Sequence, residues 1–118
     1  MSYVDGFVIP VPKKNLAAYR KITKTAGKVW KQHGALHYCE CVGDDLNIKM
    51  GLPFPKLTKM KPSETVMFSW IVYKSKAHRN AVNKRVMKDP RILKMMNMKH
   101  IFDYKRMAYG GFKVMVDL

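Results

Sequence analysis

Cysteine, acid and long apolar runs are what this chain has little of. Two cysteines in 118 residues are too few to staple a fold, and a chain this long buries a sufficient core without them. No apolar run reaches the ~18–20 residues that a membrane span requires. The opening Met1-Ser2-Tyr3-Val4-Asp5 has no basic segment leading into an apolar stretch, so no signal peptide is expected. Free thiols and a cytoplasmic location follow as expectations. Repeats and low-complexity segments are missing, and the chain reads as one domain over residues 1–118. The Gly110-Gly111 pair is no phosphate-cradling GxGxxG or P-loop.

Acid is the scarcest class: 8 Asp plus Glu stand against 23 Lys plus Arg, a net charge of +15 with neutral histidines. A field of that sign attracts phosphates, acidic ligands and anionic surfaces without choosing among them. The imbalance is greatest between Pro12 and Cys39, where no acid occurs. What remains, 47% apolar and 26% charged, is a globular composition.

Tyr3 to Val11 is rich in β-branched and aromatic residues and ends in prolines, which predicts a first strand. Asn15 is positioned to cap a helix. From there Leu16, Tyr19, Ile22, Ala26, Val29, Trp30 and His33 recur in steps of three and four, one helical face, and Gly34 supplies the stop. Arg20, Lys21, Lys24, Lys28 and Lys31 gather on the opposite third of the wheel. That row reads either as a solvated face or as an anion-facing surface. Ala35 to Val42 predicts a second strand. An irregular stretch follows to Ser63, with an added strand or turn expected around Lys56 to Met60, and a connection of that length often serves as a binding loop. Glu64 to Tyr73 is the plainest strand. Ser75 caps a helix from Lys76 to about Lys88 that ends at Asp89-Pro90. A short helical piece is expected over Arg91 to Lys99, carrying Met95, Met96 and Met98. Arg106 to Val116 reads as the last strand, with Gly110-Gly111 marking a bulge or a close backbone approach.

Two strand–helix–strand units in succession predict an α+β, ferredoxin-like βαββαβ sandwich: a four-stranded antiparallel sheet with two main helices on one face. Alternation divides each strand between the two faces. The small set Val4, Gly6 and Val8 suits the space under a helix, as does His37, Cys39 and Cys41. Tyr3, Asp5, Phe7 and Ile9 then point away from the helices, toward a bare face of ~440 Å² by strand spacing and rise. Apolar patches that large are rarely left wet, so the same face of a second copy is expected to cover it, giving a homodimer around a barrel-like space. Asp5, Glu40, Ser69, Tyr73 and Tyr109 are expected to line that space under the 44–62 loop, with Arg106 supplying charge. Asp5 is the candidate acid or base, because a poorly solvated carboxyl is pushed up in pKa; its alternative role is to bond a nearby Tyr, Arg or amide and hold the dimer. Phe68 and Trp70 read as core, and the methionines of 95–98 as padding for a groove or interface.

Metal is not expected. His37 and Cys41 lie ~13 Å apart along an extended strand, too far for one zinc. A Cys39–Cys41 disulfide is not expected either, since side chains two apart on a strand run parallel. His33, His78 and His100 show no acid or nucleophile partner in sequence and are assigned structural roles.

Tyr3-Val4-Asp5-Gly6-Phe7-Val8, Ala18-Tyr19-Arg20, Gly27-Lys28-Val29-Trp30, Val42-Gly43-Asp44-Asp45, Glu64-Thr65-Val66 with Phe68-Ser69-Trp70-Ile71-Val72-Tyr73, Asp89-Pro90-Arg91, and Lys105-Arg106-Met107 with Tyr109-Gly110-Gly111-Phe112 resemble the YbaA-like bacterial family of unknown function. The resemblance covers essentially the whole chain. It implies the dimeric α+β barrel superfamily, ferredoxin-like subunits joined through their sheets, whose members include cofactor-free monooxygenases, haem-degrading enzymes and isomerases of small aromatic or lactone substrates. None of their catalytic motifs matches here, so no catalytic role is carried over and no cofactor is assigned. Two functional classes stand at this point. One is a binder of, or enzyme acting on, a small aromatic or acidic molecule. The other is a nucleic-acid-associated protein using the basic face of the first helix, the less favoured of the two. A structural or regulatory dimer without catalysis is the remaining reading.

Overall fold

A computed structural model describes residues 2–96 and 101–118. Strand β1 (Tyr3–Pro12) leads through a 3₁₀ turn (Lys13–Asn15) into helix α1 (Leu16–Gln32), then β2 (His37–Val42), a short α2 (Phe54–Thr58) and β3 (Glu64–Tyr73). Helices α3 (Lys76–Val86) and α4 (Pro90–Met96), a 3₁₀ turn (Tyr104–Arg106) and β4 (Ala108–Lys113) complete the chain. The strands form one antiparallel sheet in the order β2-β3-β1-β4. This is the α+β, ferredoxin-like arrangement the alternating pattern calls for. Among the described residues no helix is long and apolar enough to cross a membrane.

Local signals account for most boundaries. Ser75 Oγ accepts the His78 amide at 3.1 Å and caps α3. Gly34 ends α1 at φ +118°, left-handed backbone that glycine adopts without steric cost. Asn15 stands at the N-cap of α1 but does not cap it; its amide donates instead to the Ile101 carbonyl at 2.9 Å, tying the helix entry to the approach of β4. The segment expected as a strand or turn near 56–60 is α2, started by Pro53-Phe54-Pro55 and ended by left-handed Lys59. β4 runs through Gly110 and Gly111 without a bulge, opposite Gly6 and Asp5. The glycines serve a close approach: a Cβ on Gly111 would land on the Tyr3 ring. Of the expected 91–99 helix, Asn97, Met98 and Lys99 lie outside the described residues, as does His100.

The face assignment is corrected by the structure. Tyr3, Ile9, Val11, Met67, Ile71 and Tyr73 are buried beneath the helices with Tyr19, Ala26, Val29, Val82, Val86 and Ile92. Val4, Gly6 and Val8, with Phe68, Trp70 and Val72, occupy the opposite face. Tyr38 and Glu40 pair with Ile71 and Ser69, so His37, Cys39 and Cys41 also face away from the helices. The reason is geometric. A helix layer stands ~10 Å from a sheet, and long side chains such as Tyr3, Phe7, Tyr38 and Tyr73 fill that gap where small ones would leave voids.

The open face is consequently flat and apolar. Phe68 is 46% exposed and Phe112 62% exposed, and neither belongs to the subunit core. The Phe112 ring lies across Gly6 and Gly110, 3.5 Å from where a Cβ on Gly6 would sit. Phe68 contacts Trp70 at a ring-centroid distance of 5.7 Å and Phe54 of α2 at 6.2 Å. The 44–62 segment therefore borders this face. The Cys39 and Cys41 sulfurs approach to 3.8 Å and remain free thiols, closer than parallel strand side chains would suggest.

Candidate functional site

Between the sheet and the helices lies a cavity of about 380 Å³, within the ~300–1,000 Å³ typical of small-molecule sites. Its floor is the inward face of the sheet, with Phe7, Ile9, Ser69, Ile71 and Met107. Its roof is Ile22 and Ala26 of α1, Met87, and Ile92, Met95 and Met96 of α4. No residue of the 44–62 segment takes part. The polar groups expected between two sheets thus line a partly open cavity within one subunit, because the face bearing them is the one the helices cover.

The lining is apolar except at two places. At one, Asp5 projects from the central strand β1, 1% exposed. The Arg79 guanidinium of α3 stands 3.3 Å from Asp5 Oδ1, but without the alignment of a hydrogen bond, and that oxygen is left without a hydrogen-bond partner. The Tyr109 hydroxyl points at Asp5 Oδ2 from 3.5 Å, at the limit of a hydrogen bond. Arg79 is held by the hydroxyls of Tyr3 and Tyr109, each at 3.4 Å, and its guanidinium carbon lies 5.0 Å over the Tyr3 ring. Phe7 and Tyr109 stack at 4.6 Å, fixing the phenol beside Asp5. Burial pushes the Asp5 carboxyl up from its ordinary 3.8, with the Arg79 charge as the largest opposing influence.

At the other place, Glu40 of β2 accepts from Tyr19 at 2.9 Å and from Tyr38 at 2.8 Å, one phenol on each oxygen. Burial raises Glu40 as well, opposed by those two bonds. Both phenols are raised, first by their own burial and then by the Glu40 charge. Gly27 makes this arrangement possible. A Cβ there would stand 2.7 Å from the Tyr38 ring, so only glycine lets the ring lie against α1. Asp5 and Glu40 are two strands and two residues apart, ~12 Å between Cα atoms, too far to act on one atom as a carboxylate pair.

Of the sequence-expected site residues, Asp5, Glu40, Ser69 and Tyr109 line the cavity. Tyr73 is fully buried beside it, donating to Asn83 Oδ1 at 3.2 Å. Arg106 does not face the cavity. It forms a two-point ion pair with Glu64, both contacts at 2.7 Å, and a third contact to Asp103 at 3.0 Å. The arginine that reaches Asp5 is Arg79, which stands outside the cavity lining; sequence reasoning missed it together with the lining residues Tyr19, Tyr38 and Asn83. Position 79 falls one helical turn after the Ser75 cap, so the signal was present but carried no periodicity toward Asp5. His33, expected without an acid partner, bonds Asp89 at 2.8 Å. Asp89 also accepts three bonds from Arg91, two from its guanidinium and one from its backbone amide, and these bonds, Arg91's first, hold its carboxyl well below the usual range. Met95 and Met96 pad the cavity, as thioethers in irregular spaces do. Arg20, Lys21, Lys24, Lys28 and Lys31 are all exposed on α1. Among the described residues no group of three or more His, Cys, Asp or Glu is placed to hold a metal ion.

The model of a family described as "Protein of unknown function (DUF1428)" matches residues 2–104. The chain belongs to that family. Among DUF1428's relatives, the uncharacterized protein YbaA of Escherichia coli K12 is 42% identical over 117 residues, 99% of both chains. Three solved structures share the fold at low identity. A Mycobacterium tuberculosis protein aligns at a TM-score of 0.61 with 12% identity, covering 99% of this chain and 98% of its own. A putative antibiotic biosynthesis monooxygenase from Nitrosomonas europaea aligns at 0.59 with 12% identity over 94% and 88%. SnoaB of Streptomyces nogalater, described as a cofactor-independent oxygenase and solved as a point mutant, aligns at 0.58 with 10% identity over 99% and 96%. At these identities the likeness establishes the fold of this DUF1428 chain and nothing of its chemistry.

Proposed function

We propose that this DUF1428 protein binds a small, mostly apolar ring compound bearing a weakly acidic hydroxyl, with the ring in the cavity and the hydroxyl on Asp5. The observation that carries the reading is the Asp5 Oδ1 atom, buried at the cavity with the Arg79 guanidinium 3.3 Å away but without an aligned hydrogen bond. The ion pair with Arg79 offsets part of the cost of burying this oxygen, and a ligand hydroxyl would add the aligned donor it lacks, ~1.5–3 kcal/mol for a hydrogen bond to a charged group. A carboxyl raised by burial is also suited to take the proton: the ligand O–H bond breaks, the proton passes to the Asp5 carboxylate, which becomes neutral, and the ligand oxyanion is left near Arg79 and Tyr109. Two fold neighbours carry oxygenase names, and an apolar chamber with one base is compatible with such chemistry on this chain. A metal ion or cofactor has no part in the reading.

We further infer that two copies join through the open face. Support comes from its run of Val4, Val8, Phe68, Trp70, Val72 and Phe112, large apolar groups on a flat surface next to exposed Phe54. A barrel so formed would be packed sheet against sheet, with each cavity on the outer side of it.

The binding reading is tested by calorimetric titration with naphthol, a ring carrying one weakly acidic hydroxyl. Saturable binding should weaken ~10- to 150-fold in Asp5→Asn, the loss of one charge-assisted hydrogen bond. It should also weaken when Ala26→Leu narrows the cavity. Equal affinity in all three proteins overturns the proposal.

A further inference from the structure

A second, shallower depression of about 640 Å³ lies on the outer side of the cavity wall, between α1 and β2. Arg20, Lys24, Lys28 and Lys31 line it. Their spacing places them in one row along α1, ~16 Å from first to last at 1.5 Å per residue. No acid occurs on α1 or its flanks, and among the described residues none of these four forms an ion pair. Lys31 is the one whose ammonium is engaged, donating to the Leu36 carbonyl at 2.8 Å.

The depression and the cavity share three residues: Thr23, Tyr38 and Glu40. A partition one side chain thick therefore separates an apolar chamber from a row of unpaired cations. The other wall of the depression is β2, with His37, Tyr38 and Glu40, while Gln32 sits on α1 beside Lys28 and Lys31. Both Glu40 oxygens accept from tyrosines, and among the described residues Glu40 forms no ion pair with the lysines. Inside, the two carboxyls Asp5 and Glu40 line the cavity with Thr23, Ser69, Asn83 and tyrosine hydroxyls, and among the described residues no lysine or arginine lines it; Arg79 stands beside Asp5, 3.3 Å from its Oδ1. Among the described residues an anionic substituent meets no cation lining the chamber and a row of four outside it, of which only Lys31 is already engaged.

We propose that the depression is the anion-binding antechamber of the cavity, taking the carboxylate or phosphate of a ligand whose ring lies inside, with Lys24 and Lys28 as its principal contacts. This rests on the cavity reading and adds to it the class of ligand, an aromatic acid or aromatic phosphate ester in place of a neutral phenol. Tyr38, stacked on Gly27 and bonded to Glu40, is the side chain such a ligand passes.

Three probes separate the possibilities: naphthol, hydroxynaphthoate and naphthyl phosphate, titrated into the full chain. At ~20 mM salt, where screening is weak, at least one anionic probe should bind tenfold or more tighter than naphthol. Whichever anion gains identifies carboxylate or phosphate as the preferred group. Raising salt to ~0.5 M should shrink the advantage several-fold. Lys24→Gln with Lys28→Gln should abolish it while leaving naphthol affinity unchanged. Naphthol binding with no anionic advantage, or an advantage that survives the double substitution, overturns this inference alone. Binding of none of the three overturns it together with the cavity reading. Displacement of the bound anionic probe by a duplex oligonucleotide, with a steep salt dependence of the duplex's own binding, would assign the row to nucleic acid and overturn it as well.

Discussion

Alanine at position 27 sets two opposing effects against each other, and the structure decides which wins. Gly27 sits within α1, where glycine costs ~1 kcal/mol relative to alanine, so Gly27→Ala in an open helix stabilises. Here the added Cβ would stand 2.7 Å from Tyr38 Cδ1 and 2.9 Å from Cε1. Overpacking of this kind costs ~1–3 kcal/mol. A ring pushed aside also loses its bond to Glu40, ~1.5–3 kcal/mol for a hydrogen bond to a charged group. The net expectation is destabilisation of ~1.5–5 kcal/mol, lowering the melting temperature by ~3–6 °C per kcal/mol in a chain of this size. In a Tyr38→Ala background the obstacle is gone and the same substitution should stabilise by ~1 kcal/mol. Urea denaturation of the four proteins, followed by circular dichroism, gives the cycle directly. The sign must reverse between backgrounds. If Gly27→Ala stabilises the unmodified chain, the ring does not lie against α1 as described, and the Tyr38–Glu40 wall loses its support.

Asp5→Asn should leave stability at neutral pH unchanged or raise it while weakening naphthol binding, because the fold prefers the neutral carboxyl. The sign follows from the raised pKa: the preference favours folding fully below the ordinary 3.8 and is lost as pH rises through the higher folded value. The stability difference between Asp5→Asn and the original chain should therefore grow in favour of Asn as pH climbs above 3.8, as measured by denaturation across pH. Glu64 behaves oppositely, since the Arg106 hydrogen bonds lower its pKa. Its contribution is present above the ordinary 4.5 and fades as pH falls below it, and Glu64→Gln should cost ~2 kcal/mol at neutral pH and flatten that acid limb. Trp70→Asp on the open face should shift sedimentation from two subunits to one without emptying the cavity; an unchanged sedimentation coefficient would refute the interface.

The strand and helix pattern is legible in the sequence because periods of two and 3.6 leave marks that tertiary context does not override. Leu16, Tyr19, Ile22, Ala26 and Val29 read as one face and pack as one face. The grouping of Asp5, Glu40, Ser69 and Tyr109 is legible for the same reason, since alternation fixes which residues share a side of the sheet. Which side the helices cover is not. Both sets are apolar enough to be buried, as they must be in a subunit with a packed interior and a flat apolar exterior, and small residues fit a flat interface as readily as a helix. Arg79 and Arg106 are confused for a different reason. Ion pairs depend on contacts between distant segments, here residue 5 with 79 and 64 with 106, and no local pattern encodes them. Asn15 shows the same limit on a smaller scale, its side chain claimed by Ile101 and not by the helix it precedes.

The most direct test of the central claim is a crystal structure of the protein soaked with naphthol. Density for the ring between Ile71 and Met95, with its oxygen within hydrogen-bond distance of Asp5 Oδ1, is the predicted result. Density for the ring on the open sheet face beside Phe68 and Trp70, with the cavity unchanged, would contradict it.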